Sequence, residues 1–251
     1  MAPCIVFDVY KAPGSNITPQ EFSRHVAQVH RVWGDQCNFD IRWRFQDSQG
    51  RPRLQDIGGP IVTHGLIPDG LIPPEALPFA PPELFEGPPN VLVCGDYNAL
   101  PDNVLNPGSD PSYIKQWLNY RPGIPFDPNI PQSRFGQTRP LDIAVYYVQG
   151  PLLGDGSLGC GGYYTPSGPA IVIANNLPTI NVPNVGEFTF PRTDLILAHE
   201  FGHVLLQGLP EAGHVDDVNN IMFRGLLTAN SFRVTPDQCN EARKSQYFQE
   251  C

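Results

Sequence analysis

The 251-residue sequence has no long hydrophobic run. No segment reaches the roughly 18 consecutive apolar residues that a membrane-spanning helix needs. Residues 1–11 lack the charged start and the apolar stretch of a signal peptide. We therefore expect no membrane insertion, and we expect that any secretory leader is absent from this sequence.

Basic residues are scarce. There are 16 Lys and Arg against 25 Asp and Glu, which gives a formal net charge of -9 at pH 7. The basic residues are scattered and nowhere form a run, whereas nucleic-acid-binding proteins concentrate them in a patch or stripe. The composition therefore predicts no nucleic-acid partner.

The cysteines contain no CxxC pair, which argues against a zinc ribbon held by thiolates. An even number of dispersed cysteines predicts disulfides, and disulfides predict an oxidising compartment and a secreted, extracellular protein. The sequence does not choose among the possible pairings. The candidates are Cys4, Cys37, Cys94, Cys160, Cys239 and Cys251.

Two other motifs are missing or incomplete. GxSxG is absent, so serine acyl-enzyme chemistry has no anchor. Residues 154–159 match GxGxxG, but the glycines and proline that follow cannot begin the helix that dinucleotide binding requires. We interpret 154–159 as a glycine-rich loop. Its Asp155 offers an oxygen ligand for a structural Ca2+ ion, although the spacing of further ligands is poor.

Short apolar segments alternating with capped helices predict an α+β fold. A capping box at Thr18 and Glu21 predicts a long N-terminal helix over 18–35. Proline-rich residues 58–90 predict a long loop, because proline removes backbone donors. We expect one domain over 1–251. The predicted strands are 4–11, 39–46, 91–97, 141–150 and 169–176, and the other predicted helices are 111–120, 193–207 and 235–251.

The helix over 193–207 contains the pattern HExxH. His199 and His203 are four residues apart, so their side chains lie one turn apart on one face of the helix and can reach the same ion. Imidazole is a preferred ligand of Zn2+, and a catalytic zinc site has three protein ligands and one open position. Glu200 lies between the two histidines, where it can act as a general base. The pattern predicts one catalytic zinc ion.

The third ligand is expected to be His214, eleven residues after His203. Carboxylates within reach in the sequence are alternatives. These are Glu211, Asp216, Asp217 and Glu241.

The segment from His214 to Met222, HVDDVNNIM, resembles the matrixin-type metzincins. In that family an acidic residue follows the third histidine by three positions and a methionine follows it by eight, and Asp217 and Met222 hold these positions here. The resemblance implies a metzincin-like α+β fold with a mixed, twisted sheet. In this fold 192–251 holds the active-site helix, a tight turn with Met222 beneath the metal, and a C-terminal helix. The usual spacing is HExxHxxGxxH, so five extra residues separate His203 from His214, and we expect Gly208 to turn the chain back with a positive φ.

These features predict a secreted, monomeric zinc endopeptidase that hydrolyses protein or peptide substrates, with Glu200 assisting the attack of a zinc-bound water. We expect 169–176 to be the edge strand to which the substrate backbone pairs, and 223–232 to form a wall of the substrate pocket, as the corresponding segment does in the family. The substrate-binding candidates are Ile171, Val172, Ile173 and Ala174. The alternative is a catalytically weak or inactive, zinc-stabilised secreted binding protein on the same fold. Retention of Glu200 favours the enzyme, since a structural zinc needs no general base.

Overall fold

A computed structural model describes residues 3–11, 15–56, 142–148, 158–164, 168–174, 180–182, 186–188, 193–225 and 227–251. Several predicted features lie outside these residues. They are the proline-rich loop 58–90, the strand 91–97, the helix 111–120, Asp155 and Cys94.

The central structure is a mixed sheet. Its strands are β1 (Pro3–Lys11), β2 (Asp40–Trp43), β3 (Gln55–Asp56), β4 (Ile143–Val148), β5 (Gly159–Tyr164), β6 (Gly168–Ala174) and β9 (Gln249–Glu250), and β7 (Ile180–Val182) pairs with β8 (Gly186–Phe188) in a separate hairpin. Five strands follow one another in the spatial order β2-β1-β4-β6-β5, and two short strands, β3 and β9, pair with β1. β1 is parallel to β2, β3 and β4, and β4 is parallel to β6, whereas β5 is antiparallel to β6 and β9 to β1.

The predicted position of the edge strand is wrong. Ile171, Val172 and Ile173 in β6 pair with β4 on one side and with β5 on the other, so their backbone groups cannot bind an added peptide strand. Residues 171–174 are also buried. Among the described strands, β5 is the edge strand on this side of the sheet. It was not predicted as a strand: Gly159 was the last residue of the predicted loop, and the residues after it were assigned to no element.

The predicted N-terminal helix is present. α1 (Pro19–Val29) begins with the expected capping box, in which the Thr18 hydroxyl accepts from the backbone N–H of Glu21 at 3.2 Å and the Glu21 carboxylate accepts from the backbone N–H of Thr18 at 2.8 Å. The helix continues through a π-helical turn (His30–Gly34) into α2 (Asp35–Cys37). It ends at Asn38, whose φ of 57° is left-handed.

The helix that carries HExxH is almost entirely buried. After a 3-10 turn (Thr193–Leu195), α3 (Ile196–Leu205) lies against α1, β5 and β6. Only His203 among its ten residues is partly exposed. The Trp33 indole N–H donates to the Ala198 carbonyl at 2.8 Å, and the Phe201 ring packs edge-on against Trp33. These contacts fix α3 between the N-terminal helical segment and the sheet.

The C-terminal helix is shorter than predicted. α4 (Pro236–Ala242) begins with a second capping box, from Thr235 and Gln238, but the chain leaves the helix and returns to the sheet as β9. Disulfides join Cys4 to Cys251 and Cys37 to Cys239, and Cys160 is also disulfide-bonded. The prediction of disulfides is confirmed for these five cysteines. No helix in the described part of the chain is long and apolar enough to cross a membrane.

Candidate metal centre

Three histidines converge on one face of α3. One ring nitrogen from each of His199, His203 and His214 lies within 4.8 Å of the other two. His199 and His203 are one turn apart on α3, and His214 directly follows a 3-10 turn (Pro210–Gly213). The two helical Nε2 atoms are 3.2 Å apart. The three side chains are therefore arranged to bind a common ion.

The His199 ring is held by the backbone of the turn that contains Met222. Its Nδ1 is 2.6 Å from the Ile221 carbonyl oxygen, so Nδ1 carries the proton and donates. Nε2 is then an acceptor that faces His203. Burial lowers the pKa of His199 to about 3. The neighbouring His203 and His214 add to this shift, and the hydrogen bond to Ile221 opposes it. His199 is therefore neutral near pH 7, which is the form that binds a metal.

The chain returns to the ion by a different turn from the one predicted. α3 ends at Leu205, and Gly208 is not among the described residues with positive φ. The reversal instead uses Glu211, with φ of 51°, and Gly213, with φ of 87°. A Cβ atom at Gly213 would lie 2.7 Å from the Leu206 side chain. The extra residues therefore form a helical turn, and Gly213 performs the role expected of Gly208.

Met222 lies directly beneath α3. It is fully buried, and a Cβ atom at Gly202 would overlap its sulfur and lie 3.0 Å from the Trp33 ring. The Met222 carbonyl accepts from the backbone N–H of Val215 at 2.9 Å, next to His214. The turn at 220–223, called the methionine turn below, thus contacts both α3 and the segment that carries His214.

Glu200 lies against the edge strand. It is 5% exposed, and a Cβ atom at Gly159 in β5 would lie 2.8 to 3.0 Å from its side-chain atoms. A Cβ atom at Gly161 would overlap the Glu200 backbone. Two glycines at alternate positions therefore let β5 pass close to the carboxylate. These glycines were not predicted as part of the site, although their spacing of two residues is that of one face of a strand.

The four alternative carboxylates have other partners. Glu211 and Asp216 each bind Arg224 at 2.8 Å, and Glu241 binds Lys244 at 2.6 Å. Asp217 accepts from the backbone N–H of Asn219 at 3.0 Å. Within the residues described, the three histidines are the one group of three or more side chains that could hold a metal. The geometry therefore favours His214 as the third ligand.

The donor set fits Zn2+. Three neutral imidazole nitrogens are a common ligand set for catalytic zinc, which keeps its fourth position open. Ca2+ prefers six or more oxygen ligands and does not fit three nitrogens. His199 also has the carbonyl partner on its second nitrogen that metal-binding histidines usually have.

Comparisons with known proteins find similarity of structure but not of sequence. No protein-family model matches the sequence, and no curated protein sequence matches it. The fold is similar to the crystal structure of metalloproteinase-II from Bacteroides fragilis, with 11% sequence identity and a TM-score of 0.49. The similarity covers 99% of this chain and 54% of that chain, so this chain spans about half the length of that protein. The chemistry of the centre therefore follows from its own side chains.

Proposed function

We propose that the protein is a zinc-dependent endopeptidase of the metzincin type, with a single catalytic domain. The observation that carries the proposal is the convergence of His199, His203 and His214 on one point beside the buried Glu200. The sequence from His214 to Met222 adds the family resemblance. The mixed α+β fold and the tight turn at Met222 are what that resemblance implies.

The proposed chemistry divides between the metal and the chain. When bound, Zn2+ would polarise the scissile carbonyl and lower the pKa of a coordinated water toward neutrality. Glu200 would accept a proton from the attacking water and pass it to the departing amine. Because Glu200 directly follows the first of the two helical histidines, its carboxylate would lie beside a bound ion without being a ligand.

The substrate is proposed to bind along β5 instead of β6. β5 is antiparallel to its single described neighbour, so a peptide added to its outer edge would complete its hydrogen bonds. Glycines at 159 and 161 bring this strand against Glu200. A peptide bond held there would therefore lie near the proposed general base. Residues 223–232 follow Met222 and remain the proposed wall of the pocket.

Secretion and a monomeric state remain part of the proposal. Two disulfides, each joining distant parts of the chain, support an oxidising environment. The alternative function is that of a secreted, zinc-stabilised binding protein. The buried glutamate between two ligands favours catalysis, because a structural zinc site uses all four positions and has no need of a general base.

The test compares wild type, Glu200→Ala and His214→Ala proteins for zinc content and for hydrolysis of a peptide library. The proposal expects full zinc and no hydrolysis for Glu200→Ala, and reduced zinc for His214→Ala. Hydrolysis by Glu200→Ala at the wild-type rate would remove the mechanism. Full zinc content in His214→Ala would remove the ligand assignment. A zinc-loaded wild type that cleaves no peptide would favour the binding protein.

A further inference from the structure

Two buried amide side chains, Asn220 and Gln238, form a reciprocal pair behind the metal centre. Asn220 Nδ2 donates to Gln238 Oε1 at 2.9 Å, and Gln238 Nε2 donates to Asn220 Oδ1 at 3.3 Å. Asn220 is 1% exposed and Gln238 is 3% exposed. Buried polar groups are costly unless they are hydrogen-bonded, so both amides are held in place by their partners.

Backbone donors fix the orientation of the pair. Asn220 Oδ1 also accepts from the Met222 N–H at 2.9 Å, and Gln238 Oε1 also accepts from the Thr235 N–H at 2.8 Å. Only oxygens can accept these bonds, so neither amide can turn over without leaving a backbone N–H unpaired. The pair therefore has one arrangement, and it connects the methionine turn to the start of α4.

One side of this arrangement leads to His199. Asn220 holds the Met222 N–H, and the residue between them, Ile221, presents its carbonyl to His199 Nδ1 at 2.6 Å. The position of that carbonyl selects the proton-bearing nitrogen of His199 and the direction of the ring. A turn that lost its support at Asn220 would release this carbonyl.

The other side leads to His214. The Met222 carbonyl accepts from the Val215 N–H at 2.9 Å, and Gln238 Nε2 lies 3.5 Å from the Gly213 carbonyl oxygen. Val215 and Gly213 are the neighbours of His214 in the chain. The residues on both sides of His214 are therefore hydrogen-bonded, Val215 to the methionine turn and Gly213 to Gln238.

We propose that Asn220 and Gln238 are positioning residues for the metal centre, acting on His199 through Ile221 and on His214 through its two chain neighbours. The proposal rests on the proposed function, because it assumes that the three histidines bind Zn2+. Neither amide contacts the metal or the substrate in this role. Their effect is to hold two ligands in the geometry that the ion requires. Outer partners of this kind typically contribute about 10- to 100-fold to metal affinity.

The test uses the full chain with its disulfides intact and measures zinc affinity by competition with a chromophoric chelator. Gln238→Met keeps side-chain length but removes the amide. It is expected to weaken zinc binding roughly 10- to 100-fold and to alter the visible spectrum of the Co2+-substituted protein. Because the two amides act as a unit, Asn220→Ala combined with Gln238→Met should weaken binding no more than the stronger single change.

The matched control is Gln249→Met. Gln249 is also a partly buried amide, and its Nε2 donates to Asp142 Oδ1 at 2.8 Å, but it lies in β9, which pairs with β1, away from the methionine turn. Its zinc affinity and Co2+ spectrum should remain those of wild type. If Gln238→Met does not fold, Gln238→Glu keeps the oxygen that accepts from Thr235 and replaces it in the same test.

Each outcome separates the two proposals. Wild-type affinity in the Gln238 variants, an equal loss in Gln249→Met, or additive losses in the double variant would overturn the positioning role while leaving the metal site intact. A wild type that binds no zinc would remove the proposed function and this inference with it. Weakened binding confined to the amide pair, with a changed Co2+ spectrum, would support the inference.

Discussion

His25 makes folding stability depend on pH. It lies on the buried face of α1, with Nδ1 2.8 Å from the Tyr147 hydroxyl of β4. Burial lowers its pKa from 6.5 to about 4, a shift that Asp194 and Glu21 oppose and Arg24 reinforces. Burial also raises the pKa of Tyr147, so the hydroxyl stays neutral. The folded protein therefore holds His25 neutral at pH values at which the unfolded chain protonates it.

The sign and size of the effect follow from this pKa difference. The unfolded state binds more protons between about pH 6.5 and pH 4, so the free energy of unfolding falls as the pH falls through that range. One pKa unit corresponds to about 1.4 kcal/mol. Linkage gives a loss of about 2.5 kcal/mol at pH 4.5 relative to pH 7.5, and of roughly 3.4 kcal/mol once the pH is well below 4.

The assay is urea unfolding at pH 7.5 and pH 4.5 for wild type and His25→Gln, both with chelator so that metal release does not contribute. Glutamine can still bond the Tyr147 hydroxyl but does not titrate. The variant should lack about 2.5 kcal/mol of the acid-induced loss that wild type shows. Equal losses in the two proteins would refute the assignment of this pH dependence to His25.

Two further predictions concern β5 and the disulfides. Gly159→Ala places a methyl group against the Glu200 side chain, so kcat should fall by about 10-fold or more while zinc content stays at the wild-type level. The control is Gly34→Ala, whose Cβ would make only ordinary contacts. An unchanged kcat in Gly159→Ala would contradict the close approach of β5 to Glu200. With Cys4–Cys251 already formed, the ring that Cys37–Cys239 closes contains roughly 45 residues. Replacing Cys37 and Cys239 together by alanine should therefore lower the free energy of unfolding by about 4 kcal/mol. A loss below about 1 kcal/mol in urea unfolding would show that this crosslink does not limit the unfolded chain.

Much of the centre could be predicted because its signals are local. The four-residue spacing of His199 and His203 is a property of any helix, and the capping boxes at Thr18 and Thr235 depend on residues three apart. His214 was predicted through its distance from Met222. The turn between them is indeed compact and hydrogen-bonded at Val215.

The errors arose where tertiary contacts decide the structure. The apolar run over 169–176 was predicted to be an edge strand, but an unbroken apolar run is typical of a strand covered on both sides. β5 is glycine-rich because it passes close to Glu200, and glycine hides the usual strand signal. The amide pair could not be predicted, because Asn220 and Gln238 are joined only by the fold.

Gly202 limits how α3 can be stabilised by mutation. Glycine within a helix normally costs about 1 kcal/mol relative to alanine, so replacing it is a standard route to a more stable protein. Here the Met222 sulfur and the Trp33 ring occupy the volume that a methyl group would need. The lower helix propensity of glycine is offset by the close packing of α3 against both Met222 and Trp33. Substitutions meant to raise thermostability should therefore be made elsewhere in the chain, since alanine at this position would push the methionine turn away from His199 and His203.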